Sequence, residues 1–389
     1  GQHGDQPIDW NRKKMSKRTP CQIGKQRKRA LRRGFTLIEV MVGGSVMLVV
    51  VVAALALYMT SNKLAVDQNM YAELQHDVRS AMYFITRDLR MAGVGLPVEF
   101  SGYYFEGTDN ENQGAGAAVN PDRIRFLGNI EDPLSFRIQN YNGSSINLSV
   151  DDFSFEQHPY SDEYYDNKMV LILPNPSSGC NSGQVRQLTH ITHSEYGTNE
   201  KLNCSPGLAP GIDPPGGLSG TCGSSNDYDG GLVTFINVTE YWLDVTGNYP
   251  GLTPGLNGYI GNGQGSILYM TMNALHYPLA QNVENLQFEY NGDLDDNGQL
   301  DGFVPWQDTW TLNQVSSIRQ VRILVLGRTP RPFVSVSGTA PGNNYLYQRP
   351  VISNDPNPLG QPDRHKRFLL ESTSNVRNMS LNVYNTGTR

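Results

Sequence analysis

The 25 residues from Phe35 to Met59, FTLIEVMVGGSVMLVVVVAALALYM, carry a single charge, Glu39. As a helix they span about 37 Å, enough to cross a bilayer with some tilt. A cleaved signal peptide has a shorter apolar stretch, and no A-x-A-like cleavage site follows this one. The segment therefore reads as a retained membrane helix. Glu39 is what a plain anchor does not explain. A carboxylate in the bilayer costs roughly 2.5–3.5 kcal/mol on insertion scales, and a first-turn position relieves only part of that.

Charge is distributed to match. Residues 1–34 hold eleven Lys and Arg against Asp5 and Asp9, a net of +9, and the rest of the chain nets −15; the overall −6 conceals the split. Basic residues just before an apolar helix keep that end in the cytoplasm. The basic run ends directly at a membrane-length segment, so nucleic acid is not an expected partner. The sequence opens on Gly1, and Met15 is an internal candidate start.

Beyond Met59 the pattern turns amphipathic. Leu64, Tyr71, Leu74, Val78, Ala81, Ile85 and Leu89 fall on one helical stripe, while Glu73, Asp77, Arg79, Arg87 and Asp88 lie off it. Gly93, Gly95 and Pro97 end the pattern. The spacing predicts one helix over 35–92, with 35–59 in the membrane and the remainder packed on a globular body at 98–389.

That body alternates short strand-like runs with turn clusters, expected as Arg123–Leu127, Leu134–Gln139, Ser145–Val150, Met169–Leu173, Val185–Ile191, Leu232–Val238, Glu240–Val245, Ile267–Met272, Val283–Tyr290 and Ile318–Leu326. The fold class is α+β: a long N-terminal helix on an antiparallel, β-rich domain. Residues 174–231 are rich in Pro, Gly, Ser and Asn and read as a long loop. Of Cys180, Cys204 and Cys222, the pair Cys204–Cys222 closes the shortest loop and is the expected disulfide if the body lies outside the cytoplasm. No CxxC is present.

The stretch DLDDNGQLD, Asp293–Asp301, places Asp293, Asp295, Asn297 and Asp301 at positions 1, 3, 5 and 9 of a calcium loop. Gly298 sits at position 6 for the sharp turn, and Gln299 offers its carbonyl at 7. Val304 occupies position 12, where an EF-hand has a bidentate Glu. The competing reading is a polar β-turn. His190 and His193 lack a third ligand and read as surface histidines. Asp162, Glu163 and Asp166 with Tyr160, Tyr164 and Tyr165 read as a solvated acidic and aromatic loop. No G-x-S-x-G, H-E-x-x-H, Walker A or G-x-G-x-x-G stretch occurs, so no enzymatic activity is expected.

The stretch RRGFTLIEVMV resembles the class III signal of type IV prepilins. The resemblance implies that prepilin peptidase cuts between Gly34 and Phe35 and N-methylates Phe35. It also implies that Glu39 pairs with the N-terminal ammonium of a neighbouring subunit, offsetting the desolvation of both charges. Major pilins commonly carry a Pro where this chain has Ala56, so a more continuous helix is expected here. The large body, with VENLQFEYNGDLDDNGQLDGF, SSIRQVRILVLGRT and RHKRFLLESTSNVRN in that order, resembles the PilW group of minor pilins. The resemblance implies a single-pass inner-membrane protein with a periplasmic body. It would contact membrane lipid and other minor and major pilins, enter or prime a pilus, and serve adhesion or twitching motility. The alternatives are a type II secretion pseudopilin, or a pilus-tip adhesive module using residues 100–265.

Overall fold

The computed structural model describes residues 34–96, 104–111, 120–129, 135–142, 145–148, 162–180, 183–192, 201–204, 222, 224–245, 266–273, 275–295, 297–333, 346–355 and 362–376. The leader up to Arg33, the PGLAPGIDPPGGLSG stretch, Tyr160 and His193 lie outside them. Two compact units divide the chain after Met59.

The helix α1, Leu37–Leu89, is 53 residues long, about 80 Å, and runs unbroken through Ala56. In the first unit every described residue is exposed, and α1 is long and apolar enough to cross a membrane. In the second unit the stripe becomes a core face. Leu74, Val78, Ala81, Met82, Ile85 and Leu89 are buried in one cluster with Leu286, Phe288, Val321, Ile323 and Val325. Burying a side chain of that size stabilises the fold by roughly 1.5–3 kcal/mol. The helix stops at Leu89, three residues short of the expected end, and turns occupy Arg90–Leu96. Gly93 and Gly95 there adopt φ of 74° and 71°, a region that disfavours residues with a Cβ.

Thirteen strands are described, all antiparallel where paired. β1 (Phe105–Thr108), β2 (Arg123–Gly128), β3 (Ser135–Tyr141), β4 (Ser145–Leu148), β5 (Met169–Leu173), β6 (Gln184–Thr192), β7 (Lys201–Cys204), β8 (Leu232–Asp244), β9 (Ile267–Met272) and β10 (Leu275–Gln281) share one sheet. The strand path β8-β3-β4-β7-β6-β5 closes when β5 returns to pair with β8, which removes free edges. Phe136, Ile138, Ile146, Val170, Leu188, Leu202 and Phe235 fill that ring's core. β11 (Val283–Asn291), β12 (Gln320–Arg328) and β13 (Arg367–Asn375) form a second sheet. Two short helices, α2 (Asp162–Tyr165) and α3 (Leu312–Ser316), complete the described elements, with 3₁₀ turns at Pro176–Ser178 and Ser225–Tyr228.

The α+β expectation holds, with four corrections. The runs Leu232–Val238 and Glu240–Val245 are one strand, β8, because Thr239 is buried in mid-ladder. Residues 174–231 are not one loop: β6 and β7 lie inside them. Asp88, expected on the solvent side of α1, is buried. It accepts from the Tyr241 hydroxyl at 2.6 Å and from Arg87 Nε at 2.6 Å. Finally, the disulfide is Cys180–Cys222, with Cα atoms 5.8 Å apart, and Cys204 is a free, buried thiol. Cys204 is fixed in β7 opposite Leu188 and belongs to the ring's core. Loop length decided poorly because closing a loop of twice the length costs only about 0.6 kcal/mol more. Burial pushes the Cys204 thiol up to about 12, so it stays protonated and unreactive.

Candidate functional site

Two regions carry the chemistry anticipated from the sequence, and each is described on its own. At the start of α1, Thr36 is the residue before the first helical turn and Glu39 is three residues on. Thr36 N and Oγ1 both donate to Glu39 Oε2 at 3.0 Å, and Glu39 N donates to Thr36 Oγ1 at 3.3 Å. This is a reciprocal capping box, which satisfies helix N–H groups that have no intrahelical acceptor. A carboxylate also suits the positive end of the helix dipole. Glu39 thus has a partner within its own chain, through one of its two oxygens. The sequence reading passed over Thr36, although T-x-x-E in TLIE signals this motif.

Gly34 and Phe35 precede the helix, and Phe35 is 86 % exposed. A Cβ added at Gly34 would meet nothing within 4 Å. Packing among the described residues therefore does not demand a glycine there.

The second region is the loop joining β11 to the segment before α3. Tyr290 and Val304 form an isolated antiparallel bridge that closes it. Asp301 N donates to Gly292 O at 2.9 Å. Ser317 Oγ donates to Asp293 O at 2.7 Å and Gln314 Nε2 to Leu294 O at 2.5 Å. The α3 end of the chain thus holds the loop from outside. Inside it, Asp293 accepts from Asn297 N and Gly298 N, both at 2.9 Å. Asp301 Oδ2 accepts from Leu294 N at 2.7 Å and Asp295 N at 3.1 Å. Gly298 has φ of 82°, the turn conformation expected of position 6.

These bonds draw Asp293, Asp295 and Asp301 together, with one carboxylate oxygen of each within 4.8 Å of the others. Three carboxylates so close repel one another in the absence of a cation. Hard oxygen donors on a tight turn fit Ca2+. Of the other anticipated ligands, Asn297 engages its side chain within the loop: Oδ1 accepts from Gln299 N at 2.8 Å and Nδ2 donates to Asp295 Oδ2 at 2.6 Å. Val304, in the bridge, supplies no carboxylate at position 12.

The remaining candidates are ordinary. His190 is exposed on β6 beside Thr189 Oγ1, 3.4 Å away. Tyr165 is buried in the ring's core, and Lys168 Nζ lies 3.6 Å from the centre of the Tyr164 ring.

Comparison with known proteins bears on the C-terminal part of the body most directly. Residues 262–378 match the family described as PilW, Type IV Pilus-assembly protein W. The chain is 38% identical over 63 residues to pilin-like protein PilA3 of Thermus thermophilus. That match covers 16% of this chain, and the chain spans about a quarter, 27%, of that relative. A solved structure, type IV-like pilin TTHA1219 from Thermus thermophilus, aligns at 12% identity over 55% of this chain and 86% of the other, with a TM-score of 0.19. The PilW match takes in β11, the acidic loop, β12 and β13, the segments whose sequence resembled that group, so this part of the chain is similar to the PilW family of type IV pilus-assembly proteins.

Proposed function

We propose that the chain is a minor pilin, stored in the inner membrane by α1 and assembled into, or priming, a type IV pilus. One observation carries this reading. Residues 37–59 expose apolar side chains on every face, and among the described residues the single carboxylate there is satisfied only by the neighbouring Thr36. A helix that is apolar all round is covered by lipid or by other helices. Prepilin peptidase would cut after Gly34, whose lack of a side chain answers to no packing need among the described residues. Methylated Phe35 would then lead the mature chain, with Glu39 meeting a neighbour's ammonium in the packed bundle. An ion pair there offsets the cost of burying either charge alone.

On this reading Glu39→Ala leaves cleavage intact and removes surface pili, scored by electron microscopy and by the size of the processed protein. Normal piliation with lost secretion would instead favour the type II pseudopilin alternative. Normal piliation and normal secretion would end the assembly role of Glu39.

The acidic loop is proposed as a Ca2+ site, held by Asp293, Asp295 and Asp301, with Asn297 and the Gln299 carbonyl nearby. Such an ion would neutralise the three carboxylates and stiffen the connection from β11 to α3. Calorimetry on the detergent-solubilised full chain should register binding at or below millimolar Ca2+. The double variant Asp293→Ala, Asp295→Ala should lose that binding. Heat unchanged by the double variant would assign it elsewhere.

A further inference from the structure

The disulfide joins Cys180 to Cys222 across 42 positions and passes over Cys204, which stays a buried thiol. Cys180 and Cys204 are 24 positions apart, and Cys204 and Cys222 are 18. The native bridge thus closes the longest of the three loops available to these cysteines. Closure entropy rises with the logarithm of loop length, so in an unfolded chain roughly one bridge in seven is the native one. Export in chain order adds to the bias, since Cys180 and Cys204 both emerge before Cys222.

What favours the native pair is the folded ring. Only that bridge ties the turn after β5 to the turn before β8, the two strands whose pairing closes the ring. Cys222 N donates to the Tyr228 hydroxyl at 3.1 Å, and the same hydroxyl accepts from Gln184 Nε2 at 2.8 Å. Tyr228 is buried in the ring's core, so Cys222 takes its native place as that core forms. Cys180 N donates to Ser178 Oγ at 3.2 Å, at the end of the 3₁₀ turn. Cys204, at the end of β7, lies in the same core, and Cys222 packs against it. Proximity therefore does not separate the right partner of Cys222 from the wrong one. Once the ring has formed, burial pushes the Cys204 thiol up to about 12, which leaves little thiolate to attack the finished bridge. The correct pairing is kept after folding, while nothing local selects it beforehand.

We propose that this chain matures through a thiol–disulfide isomerase, which exchanges early bridges to Cys204 for Cys180–Cys222. The partner is a protein whose thiolate attacks disulfides. Oxidation first joins two thiols and passes two electrons and two protons to a disulfide-bearing oxidant, which leaves as a dithiol. In a Cys204–Cys222 bridge the isomerase thiolate attacks the Cys222 sulfur, and Cys204 leaves as a thiolate that takes a proton. The Cys180 thiolate then attacks the same sulfur, forms the native bridge and expels the isomerase thiolate. A Cys180–Cys204 bridge exchanges in the same way, through attack at Cys180. No electrons are gained or lost in the exchange. This maturation rests on the body lying outside the cytoplasm, as in the proposed function, and is independent of pilus assembly.

The test is oxidative refolding of the full chain in detergent, with Cys21→Ser so that only the three body cysteines react. The reduced, denatured protein is refolded with excess oxidised glutathione, with and without a purified protein disulfide isomerase. Samples are blocked with iodoacetamide over time, and their linked peptides are mapped by mass spectrometry. Without the isomerase, most early bridges should include Cys204. With it, those bridges should convert to Cys180–Cys222 severalfold faster. Cys204→Ala measures any effect of the isomerase on oxidation alone. The comparison that decides is made in the chain that keeps Cys204, so a folding defect in the variant does not blunt it. Early products free of Cys204-linked bridges would overturn the proposal, and so would conversion at the same rate with and without the isomerase. Pili are not read in this experiment, so a failed assembly role for Glu39 leaves its result intact.

Discussion

Asp88 shows how one residue ties the helix to the sheet. It sits on α1 beside core residues and takes its hydrogen bonds from Tyr241 of β8 and from Arg87. Burial, together with the carboxylate beside it, drives the Tyr241 phenol above its ordinary range and keeps it a donor. Asp88→Ala leaves that hydroxyl with the weak Met270 sulfur, 3.5 Å away, as its acceptor, at a cost of about 1–3 kcal/mol. Asp88→Asn keeps an acceptor and should cost less. Urea unfolding of the second unit's core, followed by tryptophan fluorescence, measures both. Equal midpoints for wild type and Asp88→Ala would mean the contact contributes nothing. Asp88 was misread from sequence because a charge beside an apolar stripe is usually solvated. Its partner is 153 positions away, which no local pattern reveals.

At the scale of elements, close approach of backbone and side chains singles out certain glycines. Gly327 of β12 lies under α1, where a Cβ would come within 2.7 Å of both Leu74 Cδ1 and Val78 Cγ2. Gly327→Ala should push these side chains aside and cost about 1–3 kcal/mol. By contrast, a Cβ at Gly43 meets nothing within 4 Å, so Gly43→Ala should leave the chain's own stability unchanged. Thermal unfolding of both variants in detergent makes the comparison. A Gly43→Ala loss as large as that of Gly327→Ala would contradict it. The elements legible in the sequence were those whose pattern is local. The α1 stripe, β5 and β9 were read to within their ends because their apolar residues are contiguous or periodic. β10 was missed because LHYPLAQ contains Pro278 and exposes Leu275 and Tyr277 at the sheet's margin. β13 was missed because RFLLESTSN mixes charge and hydroxyls, and its partners come from β12 across a long connection. The acidic loop was readable because its turn glycine and its acids are fixed by spacing alone.

For the whole molecule, the family match covers the C-terminal part of the body, while the membrane-length helix stands at the other end of the chain. In the proposed function the apolar helix survives processing and leads the mature protein, with Glu39 near its start. Within a single chain Glu39 caps its own helix through Thr36, and in the proposed assembly its charge would pair with a neighbour's ammonium. The most direct test is the intact mass and N-terminal peptide of the protein extracted from the membrane. The mature chain should begin with N-methylated Phe35 and retain residues 35–59. A chain that still carries Gly34, or one that begins beyond Met59, would contradict it.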